Sequence, residues 1–289
     1  MLERCDRVQL AVIDRRTAAA RFAELLGTEV VREAPSPLLK AMRTIVALGE
    51  SEVELCEPDG AGYTAEFVAR RGEGLMTAGY STSDVARLAH RLDGLGVAYQ
   101  RDGDQLHVGP PATFGLPVVV SPATERSRVG PISFLYETTN TLRTDWRLVA
   151  SVYAGLFGLD PTHFQPISSS RFGYEGTLTL FDPPRRIDRI ELSQALDPAF
   201  PMGRFVGHHG DSLYMAYAET DDLQAVLARL RAAGARFTPR GNDPAHEGDG
   251  CWIYPRELHG LLLGVSRTGL AWEWSGRPEL VPPAGQRPR

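Results

Sequence analysis

The chain has 289 residues, 43% of them hydrophobic, with a formal net charge of −5. That length is enough for two domains of ordinary size, each burying its own core. The acidic balance, with no basic run and no interleaved aromatics, excludes a nucleic-acid footprint and points to a small-molecule or protein partner.

The opening stretch MLERCDRVQLAVID lacks the apolar core of a signal peptide, and no run approaches the ~20 residues of a membrane span. A cytoplasmic protein with no membrane partner is expected. Cys5, Cys56 and Cys251 are odd in number and far apart, which gives neither a disulfide framework nor a metal knuckle. From Val8 to Ile13 the chain reads as a strand ending at Asp14, a helix cap, and residues 18–26 carry helical periodicity up to Gly27. Strands are expected over 28–32, 43–48 and 52–57, around a Pro-containing loop at 34–39. After a loop over 59–74 the pattern returns: strand 75–80, helix 84–95, then strands near 97–100, 105–108 and 116–121. The charged, Pro-flanked stretch PATERSRVGP (122–131) is the expected linker. Beyond it follow a strand over 132–138, a helix over 146–157 closed by Gly158, and strands over 176–181 and 189–193.

Phe205 to Phe237 then matches Phe67 to Tyr99 without a gap, with Gly72/Gly210, Ala78/Ala216, Asp84/Asp222, Leu92/Leu230 and Gly96/Gly234 coinciding. Each copy reads as strand, Asp-capped amphipathic helix, Gly stop and strand. Strands over 251–254 and 261–266 close the pattern. From Trp274 a Pro-rich tail is expected to be poorly ordered, with Trp272 and Trp274 pinning its start. The whole is an α+β chain of four βαβββ modules in two tandem domains, 1–122 and 132–273, with linker 123–131 and tail 274–289.

Such modules, carrying RVQLAVID, EVELCEP, RRGEGLMTAGY, IDRIELSQ, HHGDSLYMAYAETDDL and YPRELHGLLLGV, resemble the vicinal oxygen chelate superfamily of glyoxalases, methylmalonyl-CoA epimerase, extradiol dioxygenases and bleomycin-resistance proteins. The resemblance covers about residues 7–266 and implies two tandem glyoxalase-like domains. In its metal-dependent members, four positions per domain hold one divalent cation. Here they fall on Gln9, Glu54, Thr77 and Val119 in the first domain, and on Phe134 or Leu135, Glu191, Met215 and Gly264 in the second. Val, Met and Gly offer no donor to a hard cation. No metal and no other cofactor is therefore expected.

Glu54 and Glu191 remain as carboxylates at equivalent places. In an apolar cup, desolvation would raise either pKa toward general acid or base use; in the alternative reading each is salt-bridged, Glu191 to Arg189 for example. Met215 and Tyr217 share one strand face, with Trp252 or Tyr254 as an aromatic wall. His208 and His209 align with Arg70 and Arg71, which places them in a solvated loop; His246 and His259 form no compact ligand motif, and no HExxH or GxSxG occurs. Two functions stay open. One is a metal-independent isomerase, lyase or cyclase acting on an oxygenated small molecule, with Glu191, Arg189 and Tyr217 catalytic and Met215, Trp252, Tyr254, Glu54, Gln9 and Thr77 contacting substrate. The other is an antibiotic- or metabolite-binding protein without turnover. A third, an extradiol-type dioxygenase with a divalent metal, needs a His on an opening or closing strand, where none falls. A monomer or homodimer is expected, since a second domain supplies the pairing that single-domain relatives obtain by dimerising.

Overall fold

The computed structural model describes residues 1–240 and 248–283. In chain order the first module is β1 (Arg4–Ala11), α1 (Arg15–Leu26), β2 (Glu29–Ser36), β3 (Ala41–Leu48) and β4 (Ser51–Pro58). Helix α2 (Tyr63–Arg71) leads to the second: β5 (Gly74–Thr82), α3 (Val85–Gly94), β6 (Tyr99–Asp102), β7 (Gln105–Val108) and β8 (Val118–Pro122). The third is β9 (Phe134–Leu142), α4 (Trp146–Phe157), β10 (Phe164–Ser169), β11 (Tyr174–Leu180) and β12 (Arg189–Ala195). Helix α5 (Pro201–His209) precedes the fourth: β13 (Ser212–Thr220), α6 (Leu223–Ala232), β14 (Phe237–Pro239), β15 (Gly250–Ile253) and β16 (Leu263–Arg267). The α+β class and the βαβββ module are as expected, and the strands form two eight-stranded sheets, β2-β3-β4-β1-β5-β8-β7-β6 and β10-β11-β12-β9-β13-β16-β15-β14.

The module helices start for one chemical reason. Asp14, Asp84, Asp145 and Asp222 each stand at an N-cap, and each side chain accepts from a free N–H of the first turn, such as those of Arg16 and Thr17 at 2.9 Å. Gly27 and Gly158 close α1 and α4 in the left-handed conformation that a side chain disfavours.

Two helices were hidden from pattern reading. The expected loop over 59–74 contains α2, and α5 stands in the matching place of the second half. Neither has a side-chain cap to mark its start, and α2 buries only Thr64 fully. Phe67 and Val68 on α2 pack against the Ala11, Leu39, Ala41, Cys56 and Met76 cluster. His208 and His209 thus lie at the exposed C-terminal end of a helix rather than in a loop. Strand β10 continues through Ser168 and Ser169 by pairing with β11. Part of the expected tail has defined contacts: Trp272 is buried, and Arg267 Nη1 donates to the Pro282 carbonyl at 2.8 Å. No helix among the described residues is long and apolar enough to cross a membrane.

Two compact units emerge, each combining modules from both halves of the sequence. The first comprises Met1–Cys5, Thr77–Thr124 and Glu137–Tyr214; the second comprises Asp6–Met76, Glu125–Tyr136 and Met215–Arg289. Within the first, Tyr80, Tyr153, Phe157 and Leu178 are fully buried; within the second, Phe22, Leu25, Ile45 and Leu55.

Candidate active site

Parallel pairing of an opening strand with the last strand of its module brings the candidate carboxylates into register with their partners. In the second unit, β1 runs beside β4, setting Arg7 opposite Glu52 and Gln9 opposite Glu54. In the first unit, β9 runs beside β12, setting Glu137 opposite Arg189 and Thr139 opposite Glu191. The opening-strand position in the second half is therefore Thr139, and the expected Phe134 or Leu135 is corrected. The apolar start FLY resembles the body of a strand, but β9 extends to Leu142 and its middle is the buried polar run Glu137–Thr141.

Glu54 is fully buried and fully engaged. Arg7 Nη1 donates to Oε1 at 2.6 Å, while Gln9 Nε2 and Arg43 Nη1 donate to Oε2 at 2.9 and 3.0 Å. Burial pushes this carboxyl up, but the Arg7 and Arg43 guanidiniums and the hydrogen bonds from Arg7 and Gln9 outweigh it and hold the pKa at about 2. A raised pKa at Glu54 is thus corrected; the salt-bridged reading is what the structure contains. Arg7 also meets Asp6 and Glu52 at 2.6 and 3.1 Å, and Arg126 binds Asp6, which extends the ion network across the unit.

Glu191 lives in the opposite environment. Ser193 Oγ donates a short hydrogen bond to Oε1, and Thr139 Oγ1 donates to Oε2 at 3.4 Å. Arg189 does not pair with it as expected: its Nε donates to Glu137 Oε2 at 2.6 Å, both groups being buried. Burial first, then the charge of Glu137 and a hydrogen bond with it, raise the Glu191 carboxyl well above the ordinary range against the opposing Ser193 bond and Arg189 charge. Burial and the neighbouring Glu137 carboxylate thus favour the protonated form of Glu191. Glu137 was missed by sequence reasoning; the signal was the alternation Glu137, Thr139, Thr141 along β9, which puts it on the face of Thr139.

The other expected residues divide between the units. Met215, Tyr217, Trp252 and Tyr254 belong to the second unit; Thr77 and Val119 belong to the first, buried on β5 and β8. Tyr217 accepts from Trp252 Nε1 at 3.1 Å and stacks obliquely on Tyr136 at 5.9 Å between centroids. Tyr254 is exposed and bonds Thr238 Oγ1 at 2.7 Å. His259 Nδ1 meets Glu73 Oε2 at 2.8 Å, and His246 lies outside the described residues.

The divalent cation implied by the resemblance does not fit these residues. A cation at Glu54 would have to displace two guanidiniums. On the closing strand, Gly264 lies opposite Tyr217, and a Cβ there would come within 2.1 Å of the Tyr217 ring, which occupies the space of a fourth ligand. Among the described residues, no group of three or more His, Cys, Asp or Glu is placed to hold a metal ion.

Comparison with known proteins bears on the fold. Residues 6–108 match the family model described as Glyoxalase/Bleomycin resistance protein/Dioxygenase superfamily. A variant of 4-hydroxymandelate synthase from Streptomyces coelicolor superposes with TM-score 0.69 at 15% identity, over 96% of this chain and 99% of that one. A xylose isomerase-like TIM barrel/4-hydroxyphenylpyruvate dioxygenase fusion protein gives 0.64 at 10% identity, over 92% of this chain and 49% of that one. A Streptomyces coelicolor methylmalonyl-CoA epimerase in complex with 2-nitronate-propionyl-CoA gives 0.39 at 20% identity, over 43% and 100%. No curated protein matches the sequence.

Proposed function

We propose that this chain, whose residues 6–108 belong to the Glyoxalase/Bleomycin resistance protein/Dioxygenase superfamily and whose two-sheet fold is the one found in 4-hydroxymandelate synthase, is a metal-independent enzyme that moves a proton on an oxygenated small molecule. The observation that carries the reading is the Glu137 and Glu191 pair beside Arg189. A carboxyl group kept protonated near neutral pH is a general acid: Glu191 hydrogen-bonds a substrate carbonyl and delivers its proton as negative charge develops there. Glu137, held by Arg189, is the base that removes the proton from the carbon next to that carbonyl as Glu191 protonates the oxygen, giving the enol. Isomerisation is completed when a proton is returned to carbon and the oxygen gives its proton back to Glu191. Tyr217, in the other unit, is not assigned a step.

The test is exchange of the carbon-bound proton next to a carbonyl, followed by NMR in heavy water with chelator present, over a panel of 2-oxo and 2-hydroxy acids and their esters. Wild-type chain is expected to exchange at least one compound, and Glu191→Gln to slow it by ~10²-fold or more. Exchange that appears only when a divalent ion is added would sink the metal-independent reading.

A second reading, sequestration of an antibiotic or metabolite without turnover, is favoured by the partly exposed aromatic set of Tyr217, Trp252 and Trp274. Saturable binding of a panel compound with no exchange at any pH would select it.

A further inference from the structure

We propose that Ser193 is the positioning residue of the third module: its hydroxyl holds Oε1 of Glu191, so that the acidic proton sits on Oε2, on the side of β9. The inference rests on the proton-transfer reading and names the residue that aims the acid. Ser193 Oγ donates a short hydrogen bond to Oε1, while Oε2 lies 3.4 Å from Thr139 Oγ1. A donated hydrogen bond occupies the oxygen that receives it, which leaves the carboxyl O–H to the other oxygen. Thr139 and Glu137 are two residues apart on β9 and share one face, so Oε2 is turned toward the strand that carries the base.

The local structure fixes this hydroxyl. Glu191 and Ser193 are two residues apart on β12, which puts both side chains on one face. Ser193 is fully buried and stands between Thr141 on β9 and Gly176 on β11. A Cβ at Gly176 would come within 1.8 Å of the Leu192 carbonyl oxygen and 3.1 Å of the Ser193 Cα, so β11 lies close against β12 at this point. The first module fills the same places differently. Cys56 stands where Ser193 does, and its Sγ donates to the backbone carbonyl of Glu54 at 3.5 Å; Arg43, opposite Cys56, holds Glu54 Oε2 at 3.0 Å. A guanidinium orients and ionises its carboxylate, whereas a neutral hydroxyl orients a carboxyl with no charge to drive the proton off. As the proton leaves Oε2, negative charge spreads to Oε1 and the Ser193 bond becomes charge-assisted. It is therefore stronger in the transition state than in the ground state.

The test compares Ser193→Ala, Ser193→Cys, which installs the first module's residue at nearly the same size, and Ser193→Thr, which keeps the hydroxyl. The first readout is the infrared carbonyl band of protonated Glu191, identified by its loss in Glu191→Gln. A carbonyl that loses a hydrogen bond absorbs at higher frequency, so the band is expected to rise in the Ala and Cys variants and to stay in place in Ser193→Thr. The second readout is proton exchange of a compound that wild type turns over. In the Ala and Cys variants kcat is expected to fall about tenfold with KM unchanged, and Ser193→Thr to retain the wild-type rate. An unmoved band in both Ala and Cys variants, the absence of such a band from wild type, or a wild-type kcat in both variants would each overturn the assignment. A band that moves as expected, with no exchange by wild type on any compound, would uphold the placement of the proton and defeat the proton-transfer reading alone.

Discussion

Replacing each of the two equivalent carboxylates by its amide should have opposite consequences. In Glu54→Gln the Arg7 and Arg43 guanidiniums, 2.6 and 3.0 Å from the carboxylate, lose the Glu54 charge in a fully buried place, with Asp6 and Glu52 still beside Arg7. The fall of the folded pKa from the ordinary 4.5 to about 2, at 1.36 kcal/mol per unit, ties about 3 kcal/mol of stability to ionised Glu54. Removing one partner of a buried ion pair costs a similar ~3–5 kcal/mol. Because the folded value is depressed, this stability is present above the unfolded value and is lost as pH falls through about 2. In Glu191→Gln the amide stands in for a carboxyl whose protonated form burial and Glu137 favour, so a change within ~1 kcal/mol is expected at roughly pH 3.5, where the unfolded carboxyl is protonated too, and no penalty, or a gain, at roughly pH 7. The raised value also fixes the sign: ionised Glu191 disfavours the fold increasingly as pH rises above the unfolded range, and the amide removes that slope. Urea unfolding of wild type and both variants at roughly pH 7 and roughly pH 3.5 reads both effects. The difference between wild type and variant cancels other titrations, including Asp188, whose carboxyl burial raises to about 6. A Glu191→Gln penalty as large as that of Glu54→Gln at neutral pH, or a Glu54→Gln penalty that does not shrink in acid, would refute the assignment.

Three further substitutions test the packing. Gly264→Ala places a Cβ 2.1 Å from the Tyr217 ring and is expected to cost ~1–3 kcal/mol, with most of the loss absent in the Tyr217→Ala background, read by thermal melting as a double-mutant cycle. Gly115→Ala combines φ +81° with a Cβ 1.7 Å from the Asp211 carbonyl oxygen, whereas Gly103 at φ +62° has open space; the first should lower the melting temperature far more than Gly103→Ala, which carries ~1 kcal/mol of backbone strain alone. Tyr153→Phe removes a buried hydroxyl that donates to the Thr113 carbonyl at 2.6 Å and accepts from Asn140 at 3.1 Å, with an expected loss of ~1–3 kcal/mol in urea.

What the sequence made legible follows from range. Asp caps, Gly stops and apolar spacing are local, so α1, α3, α4 and α6 were readable, as was β7. The helices α2 and α5 depend on packing rather than cap chemistry, and they were not. The same limit acts on the site. The internal match located Glu54 and Glu191, but their protonation depends on which residue stands across the neighbouring strand. A four- or five-residue error in the register of β9 hid Glu137, and with it the reason that Arg189 is not the partner of Glu191.

The contrast between the two carboxylates reduces to one reversed ion pair. In the first module the opening strand supplies the cation and the last strand the anion, Arg7 to Glu52 at 3.1 Å; in the third module the same two places hold Glu137 and Arg189, at 2.6 Å. The carboxyl two residues along the last strand is therefore next to a guanidinium in one case and next to a carboxylate in the other. Glu137→Arg combined with Arg189→Glu restores the first arrangement in the third module without altering net charge. Glu191 is then expected to ionise at neutral pH, the infrared band of its protonated carboxyl, identified by its loss in Glu191→Gln, to disappear, and proton exchange to fall with it. Persistence of that band in the reversed variant, shown to be folded by circular dichroism, would mean that burial alone holds the proton and that Glu137 is not the residue that sets the chemistry of Glu191.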